Sequence, residues 1–348
     1  MTKRKTTGAV RSMPIACWSA ADRAGWEDAC RPSVRLQRGG RASHLAPVTR
    51  DDLASRYGFF VDFLDRTSRL DLTAGPAAQV TPDNVAEYVP ELQSRLSSVT
   101  AHYSIYKLRR AAELISGRAD FAWLAEIEKD LALVMIPKSK RDRLVTSDLL
   151  VEAGLTLIEE VQALPATIAR ARAVRNGLMI ALLAVHPIRL KNFVALQIGR
   201  SFVKVKGSWW VKLDQQSTKS RRVDERAVPD FLQAAVEIYL SRYRPILARI
   251  EVPSNALWLS SKDGSPMTYA GIQPALAVTT HATVGVNVSA HLFRMAAATT
   301  AAIHGGSTPG LASAVLHHTD PRVTEAHYNR ATSMSAGQTY LSIVDRYR

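Results

Sequence analysis

Cysteine is almost missing from this chain. Cys17 and Cys30 stand alone, with neither the number nor the spacing of a zinc site or a disulfide framework, so both read as free thiols and no metal site is expected. Acids are scarce relative to bases: 31 Asp and Glu stand against 45 Lys and Arg, a formal charge of +14. Such a field attracts polyanions, either nucleic acid or an anionic membrane surface. Long apolar runs are lacking too. A membrane-spanning helix needs about 20 apolar residues, and the longest candidate, Leu178 to Val185, stops at His186 and Pro187. The basic N-terminus is not followed by the apolar run and small-residue cleavage site of a secretory signal. A cytoplasmic protein with nucleic acid as partner, and no membrane, is the expectation. What the 348 residues do have is apolar material, 47% of the chain, enough for two buried cores.

Residues 1–44 hold nine Lys or Arg against three acids and are broken by Pro14, Pro32 and the Gly39-Gly40 pair. They show no clear period and read either as a disordered basic tail or as an arm that follows DNA phosphates. From 45 to 134 the pattern is helical. Asp51 and Asp52 open a segment with Leu53, Tyr57, Phe60, Val61 and Leu64 on one face. Thr81-Pro82-Asp83 supplies a cap, a proline and a first-turn acid for a second helix. A third starts near Ser98, with Ile105, Leu108, Ala112 and Ile115 inward and His102, Lys107, Arg109 and Arg110 mostly on other faces, where a solvated charged surface is the simplest meaning. A fourth covers about 121–134. The proline-broken basic stretch after it makes 135–148 the linker, and 149–348 a second domain. That domain begins with helices at 149–163 and 166–185. Phe202 to Leu213 then gives two short β-prone runs around a Gly207-Ser208 turn, with a third run at 221–228. Helical pattern resumes from Asp230, interrupted at Pro253, Gly264 to Pro266, Gly285 and Gly305 to Pro309.

Three pieces of the second domain carry chemistry-bearing residues in order. They are Pro187-Ile188-Arg189-Leu190; His291-Leu292-Phe293-Arg294; and Leu316-His317-His318-Thr319-Asp320-Pro321, followed by Tyr328. Between the first and second lies Thr218-Lys219-Ser220-Arg221-Arg222. Singly each has a plain meaning: Arg189 as an ion-paired residue at a helix boundary, Lys219 as one base in a solvated hairpin, His291 and Arg294 as a surface helix turn, His318 as a satisfied structural histidine. Tyr328 competes with Tyr340 and Tyr347. In conjunction they resemble the catalytic boxes of the tyrosine recombinase (phage integrase) family: an arginine after a helix, a hairpin lysine, H-x-x-R, an L-G-H-like motif and a tyrosine beyond it.

The resemblance implies a mainly α protein with a small antiparallel β-sheet, a helical core-binding domain plus a mixed α+β catalytic domain, the two clamping a duplex. It also implies a site-specific recombinase or integrase, as in mobile genetic elements, that needs no metal, nucleotide or other cofactor. Arg189 and Arg294 would fork the phosphate, with His291 and His318 adding hydrogen bonds. Tyr328 would be the nucleophile forming a 3′-phosphotyrosyl link, and Lys219 the acid for the 5′-oxygen. The partner would be double-stranded DNA, bound by a homo-tetramer on paired sites with room for accessory DNA-bending proteins, in a nucleoid-associated location. In that frame His102, Lys107, Arg109 and Arg110 become groove or phosphate contacts. The apolar set Tyr340, Leu341, Ile343, Val344 and Tyr347 either closes its own domain or docks on a neighbouring protomer. Departures are Asn192 where an acid is common, Met295 where a histidine is, and His317 in place of glycine, which leaves the third-box histidine ambiguous between His317 and His318. A type IB topoisomerase-like relaxation activity, or a non-catalytic DNA-binding regulator on the same fold, are the alternatives.

Overall fold

A computed structural model describes residues 10–117, 120–137, 141–218, 223–248, 254–304 and 316. The chain divides into two compact units, Met1–Ser139 and Lys140–Arg348. The fold is mainly helical with one small antiparallel sheet, as the sequence indicates. Among the described residues no helix is long and apolar enough to cross a membrane.

The first unit is built from α1 (Ala20–Cys30), α2 (Pro47–Arg66), α3 (Pro82–Arg95), α4 (Ser98–Ser116) and α5 (Ala122–Leu133). Its helix starts follow from short-range chemistry. Thr81 Oγ1 accepts from Asn84 N at 3.2 Å with Pro82 at the first turn, and Ser97 Oγ accepts from Thr100 N at 3.3 Å, each occupying a donor that a helix start leaves open. Gly117, at φ 73°, ends α4 in the left-handed conformation that glycine adopts without a Cβ penalty.

Residues 10–44 differ from expectation. Ser19 caps α1 by accepting from Asp22 N, and Trp18 and Trp26 are buried with Tyr57, Phe60 and Phe63 in one core. The Asp22 carboxylate is buried as well, accepting from Tyr57 Oη at 2.9 Å and from Ala77 N at 2.7 Å. Residues 13–30 are therefore an integral layer of the helical unit, whereas 31–38 form an exposed turn. Trp18, just before α1, and Trp26 on it together bury enough apolar surface to outweigh the mixed charge of the segment.

The second unit starts earlier than residue 149. Leu144 and Val145 already pack on its core, and α6 spans Ser147–Gln162. The central element is α7 (Ile168–Val185), whose residues Leu178 to Ala184 are all buried, which accounts for the most apolar run of the sequence. It lies close against α6: a Cβ on Gly154 would stand 2.6 Å from Gly177 O, and one on Gly177 2.6 Å from Gly154 O. Only glycine at both positions allows this approach.

A short helix α8 (Leu190–Val194) leads to β1 (Phe202–Val205), β2 (Ser208–Leu213) and β3 (Asp224–Ala227), antiparallel in that order. The β1–β2 turn is Lys206-Gly207 rather than Gly207-Ser208. Val205 pairs with Ser208, and both turn residues have positive φ, 49° and 89°, the conformation that matches the twist of a two-residue hairpin. Then follow α9 (Asp230–Ile238), a π-turn at Tyr239–Tyr243, α10 (Arg244–Leu247), α11 (Tyr269–Val284) and α12 (Ala290–His304). Tyr239 and Trp258 fill the core between them and direct their polar ends to Leu257 O and Phe193 O.

Candidate active site

The chain leaves α7 through a tight, buried segment. His186 N still bonds Leu182 O, Ile188 N bonds His186 O at 2.6 Å, and Pro187 and Ile188 are buried. Arg189 is the cap residue of α8, its carbonyl accepting from Asn192 N and Phe193 N, and its side chain is half-buried. The second arginine arrives from α12. Arg294 donates through Nη1 to Pro187 O and through Nη2 to Leu316 O, the latter at 2.8 Å. One guanidinium thus ties together the first residues of two sequence boxes more than a hundred positions apart, with its own box between them. Leu316 is itself buried against Ala297 and Ala298 of α12. His291 lies in the first turn of α12, exposed.

Around this point the charge is strongly positive. Burial pushes Arg294 down to about 10, and Arg189 and Arg226 push the same way while Asp224 opposes them. The group stays cationic at neutral pH. Asp224 and Arg226 stand two residues apart on β3, which puts both side chains on one face of the sheet. They form a two-pronged pair, Nε to Oδ1 at 2.7 Å and Nη2 to Oδ2 at 3.0 Å, largely buried. The sequence reading missed this pair. Its signal was the alternation itself: on a four-residue strand, Asp224 and Arg226 occupy the positions that an apolar residue would take on an inward face. Asn192, where a carboxylate was looked for, is buried on α8. Asp224 is the carboxylate that stands among the arginines instead.

His186 was also missed. It is buried, and its Nε2 has no hydrogen-bond partner among the described residues. Burial pushes its imidazole down to about 4, with Arg226 acting in the same direction. A folded-state value below the usual 6.5 means that the unfolded chain binds more protons between those two values, so stability falls as pH drops from about 6.5 towards about 4. For this one group the loss amounts to about 3 kcal/mol. Replacing His186 by leucine is expected to flatten the fall in Tm between pH 6.5 and 4 relative to the unchanged protein. Parallel Tm profiles would refute a buried neutral imidazole.

Lys219, His318 and Tyr328, with His317 and the segment from Tyr340 to Tyr347, lie outside the described residues. The four basic positions of α4 separate into two faces. His102 Nδ1 is 3.1 Å from Glu128 O, and Arg109 bonds the Glu128 carboxylate at 2.6 and 3.1 Å and Glu113 at 2.7 Å. These two residues, seven apart and so on one side of the helix, brace α4 against α5. Lys107 reaches across to Asp52 at 2.6 Å, and Arg110 lies beside Tyr106 on the more exposed side.

The phage integrase family model matches residues 156–334, more than half of the chain, including all of the boxes. The chain belongs to the phage integrase family. Solved structures with a similar fold include a XerH site-specific recombinase bound to difH substrate in a pre-cleavage complex, 16% identical, with a TM-score of 0.52 over 83% of this chain and 78% of that one. A lambda integrase(75-356) dimer bound to a COC′ core site is 14% identical, with a TM-score of 0.47 over 83% and 90% of the two chains. XerA recombinase is 16% identical, with a TM-score of 0.40 over 86% and 94%. At these identities the likeness is one of fold. Comparison with curated proteins gives no match. Family membership supports site-specific recombination as the general activity.

Proposed function

We propose that this phage integrase family member cleaves and rejoins double-stranded DNA at specific sites through a 3′-phosphotyrosyl intermediate, without metal or ATP. The observation that carries the reading is Arg294 bonded to Pro187 O and Leu316 O, because it gathers three separate boxes around one cationic point. A phosphodiester gains negative charge as a nucleophile adds, and fixed guanidiniums stabilise that charge without reorganising. Arg189 and Arg294 take this role, and His291 and His318 add hydrogen bonds. The Tyr328 phenol gives its proton to His291 and attacks phosphorus, and the P–O bond to the 5′-oxygen breaks as Lys219 gives that oxygen a proton. One phosphoester replaces another of similar energy. The reverse step by a 5′-hydroxyl of a second strand rejoins DNA and releases the tyrosine, so no nucleotide is consumed.

Four protomers on paired sites would allow two strands to exchange, with the segment around Tyr340 to Tyr347 linking neighbours. Lys107 and Arg110 on α4 are the phosphate contacts of the helical unit. Accessory DNA-bending proteins and a nucleoid location fit this reading.

The test is incubation of the full chain with nicked duplexes drawn from DNA flanking its gene, in the presence of a chelator. A denaturant-resistant protein–DNA adduct, and exchange between two duplexes, are expected. Relaxation of supercoils without exchange would assign the topoisomerase-like activity. Tight, salt-sensitive binding with no adduct on any flanking duplex would assign the non-catalytic binder.

A further inference from the structure

The connection between α1 and α2 has an uneven charge. From Arg31 to Ala46 it holds four arginines and no Asp or Glu. Its base is firmly fixed: Gly40 N bonds Arg31 O at 2.8 Å, Ala42 N bonds Ala29 O at 2.7 Å, and the Arg50 guanidinium reaches Cys30 O at 3.4 Å. Ala42 is wholly buried, and a Cβ on Gly40 would stand 1.9 Å from Asp28 O. Beyond this clamp the chain projects as a tight turn, closed by Gln37 N to Val34 O at 2.9 Å and by Ser33 Oγ to Gln37 O at 3.3 Å. At its tip Leu36 has φ of 69° and is 99% exposed, more than any other large apolar side chain among the described residues. A branched aliphatic residue in the left-handed region is strained. Held in water it gains nothing in return. Arg35, Arg38 and Arg41 are exposed around it, and the ion pairs among the described residues engage Arg31 with Asp28 but none of these three.

We propose that this turn is a second DNA contact, with Leu36 as a wedge that enters a base step from the minor groove and Arg35, Arg38 and Arg41 on the groove and its phosphates. The inference rests on the reading of the protein as one that binds duplex DNA. One protruding aliphatic group is far too small for a protein interface, which needs on the order of 1,000 Å². It is the size of the single apolar side chains that unstack one step and bend a duplex. Uncompensated arginines beside it match the phosphates and the narrow groove that such a bend brings close. The position also fits the rest of the unit. Arg50, in the first turn of α2, ties the base of the turn to that helix, and Asp52 of the same helix holds Lys107 of α4.

The experiment uses the full chain on an end-labelled duplex of about 30 base pairs from the flanking DNA, reading bending by energy transfer and affinity against salt. Leu36→Gly removes the wedge and suits the left-handed backbone, so the protein stays folded. It is expected to keep the salt dependence of binding while losing most of the bend. The double substitution Arg35→Ala with Arg38→Ala is expected to make the slope of log affinity against log salt shallower by about 2. If both variants bend DNA and respond to salt as the unchanged protein does, while Lys107→Ala weakens binding, the wedge is overturned and DNA binding stands. If the unchanged protein binds no duplex even at low salt, both readings fall.

Discussion

Arg294→Ala is expected to slow single-turnover cleavage of a nicked duplex by about 10²- to 10³-fold, the range found when one fixed donor to a developing oxyanion is removed. Affinity for the same duplex should change far less, since binding is spread over many cations of a chain with charge +14. The Arg294 side chain already holds the fold together at this point. Its Nη1 and Nη2 are committed to Pro187 O and Leu316 O, so the plane of the guanidinium is set before substrate arrives. Burial that pushes it down to about 10 leaves it charged at neutral pH. Arg294→Lys keeps the charge but has no fork with which to hold two carbonyls and a phosphate together, and should recover little of the lost rate. Losing the two carbonyl bonds also costs stability, about 1 to 3 kcal/mol for each carbonyl left unsatisfied, so Tm is measured alongside. Cleavage by a folded Arg294→Ala protein within about tenfold of the unchanged one would remove Arg294 from the site.

Much of this arrangement was legible in the sequence because it is written in short-range chemistry. Thr81-Pro82 and the Ser97-Ser98 start place helix ends to within a residue, and the apolar run at 178–185 announces the buried α7. The arginine boxes are legible for another reason, their resemblance to the family's boxes; among the described residues Arg189 caps α8 and His291 stands in the first turn of α12. The misses are long-range. Nothing near Asp224 in the sequence says that its carboxylate will stand beside Arg294, seventy positions later, because strand pairing and the α12 crossing bring them together. In residues 10–44 the charge and the glycines are the louder signal, but Trp18 and Trp26 decide the structure, because burying two large aromatic side chains stabilises more than ordering a short helix costs. Gly39 and Gly40 read as breakers, yet Gly40 is a packing residue against Asp28 O. His102 and Arg109 read as surface charge because their partner, Glu128, comes from the next helix and meets His102 with its backbone carbonyl and Arg109 with its carboxylate.

Tyr328→Phe is expected to abolish the covalent adduct entirely while leaving duplex affinity within about twofold, because one hydroxyl is all that is removed and the cationic groups that dominate binding remain. A phenol is an indifferent nucleophile at neutral pH, with an ordinary pKa near 10. Arginines held close to the reacting phosphate favour its ionised form, and Arg294 feels Arg189 and Arg226 against one opposing carboxylate, Asp224. A tyrosine entering that environment is activated; one elsewhere is not. The same reasoning separates Tyr328 from Tyr340 and Tyr347. Only the residue that reaches the Pro187–Arg294–Leu316 junction gains the charge stabilisation, and Leu316, twelve positions before Tyr328, is anchored there by Arg294. Tyr340→Phe and Tyr347→Phe should therefore retain the adduct. Peptide mapping of the DNA-linked tyrosine decides the matter: a link at 340 or 347, or an adduct that survives Tyr328→Phe, would move the nucleophile beyond residue 328 and require the third box to approach the arginines by a different path.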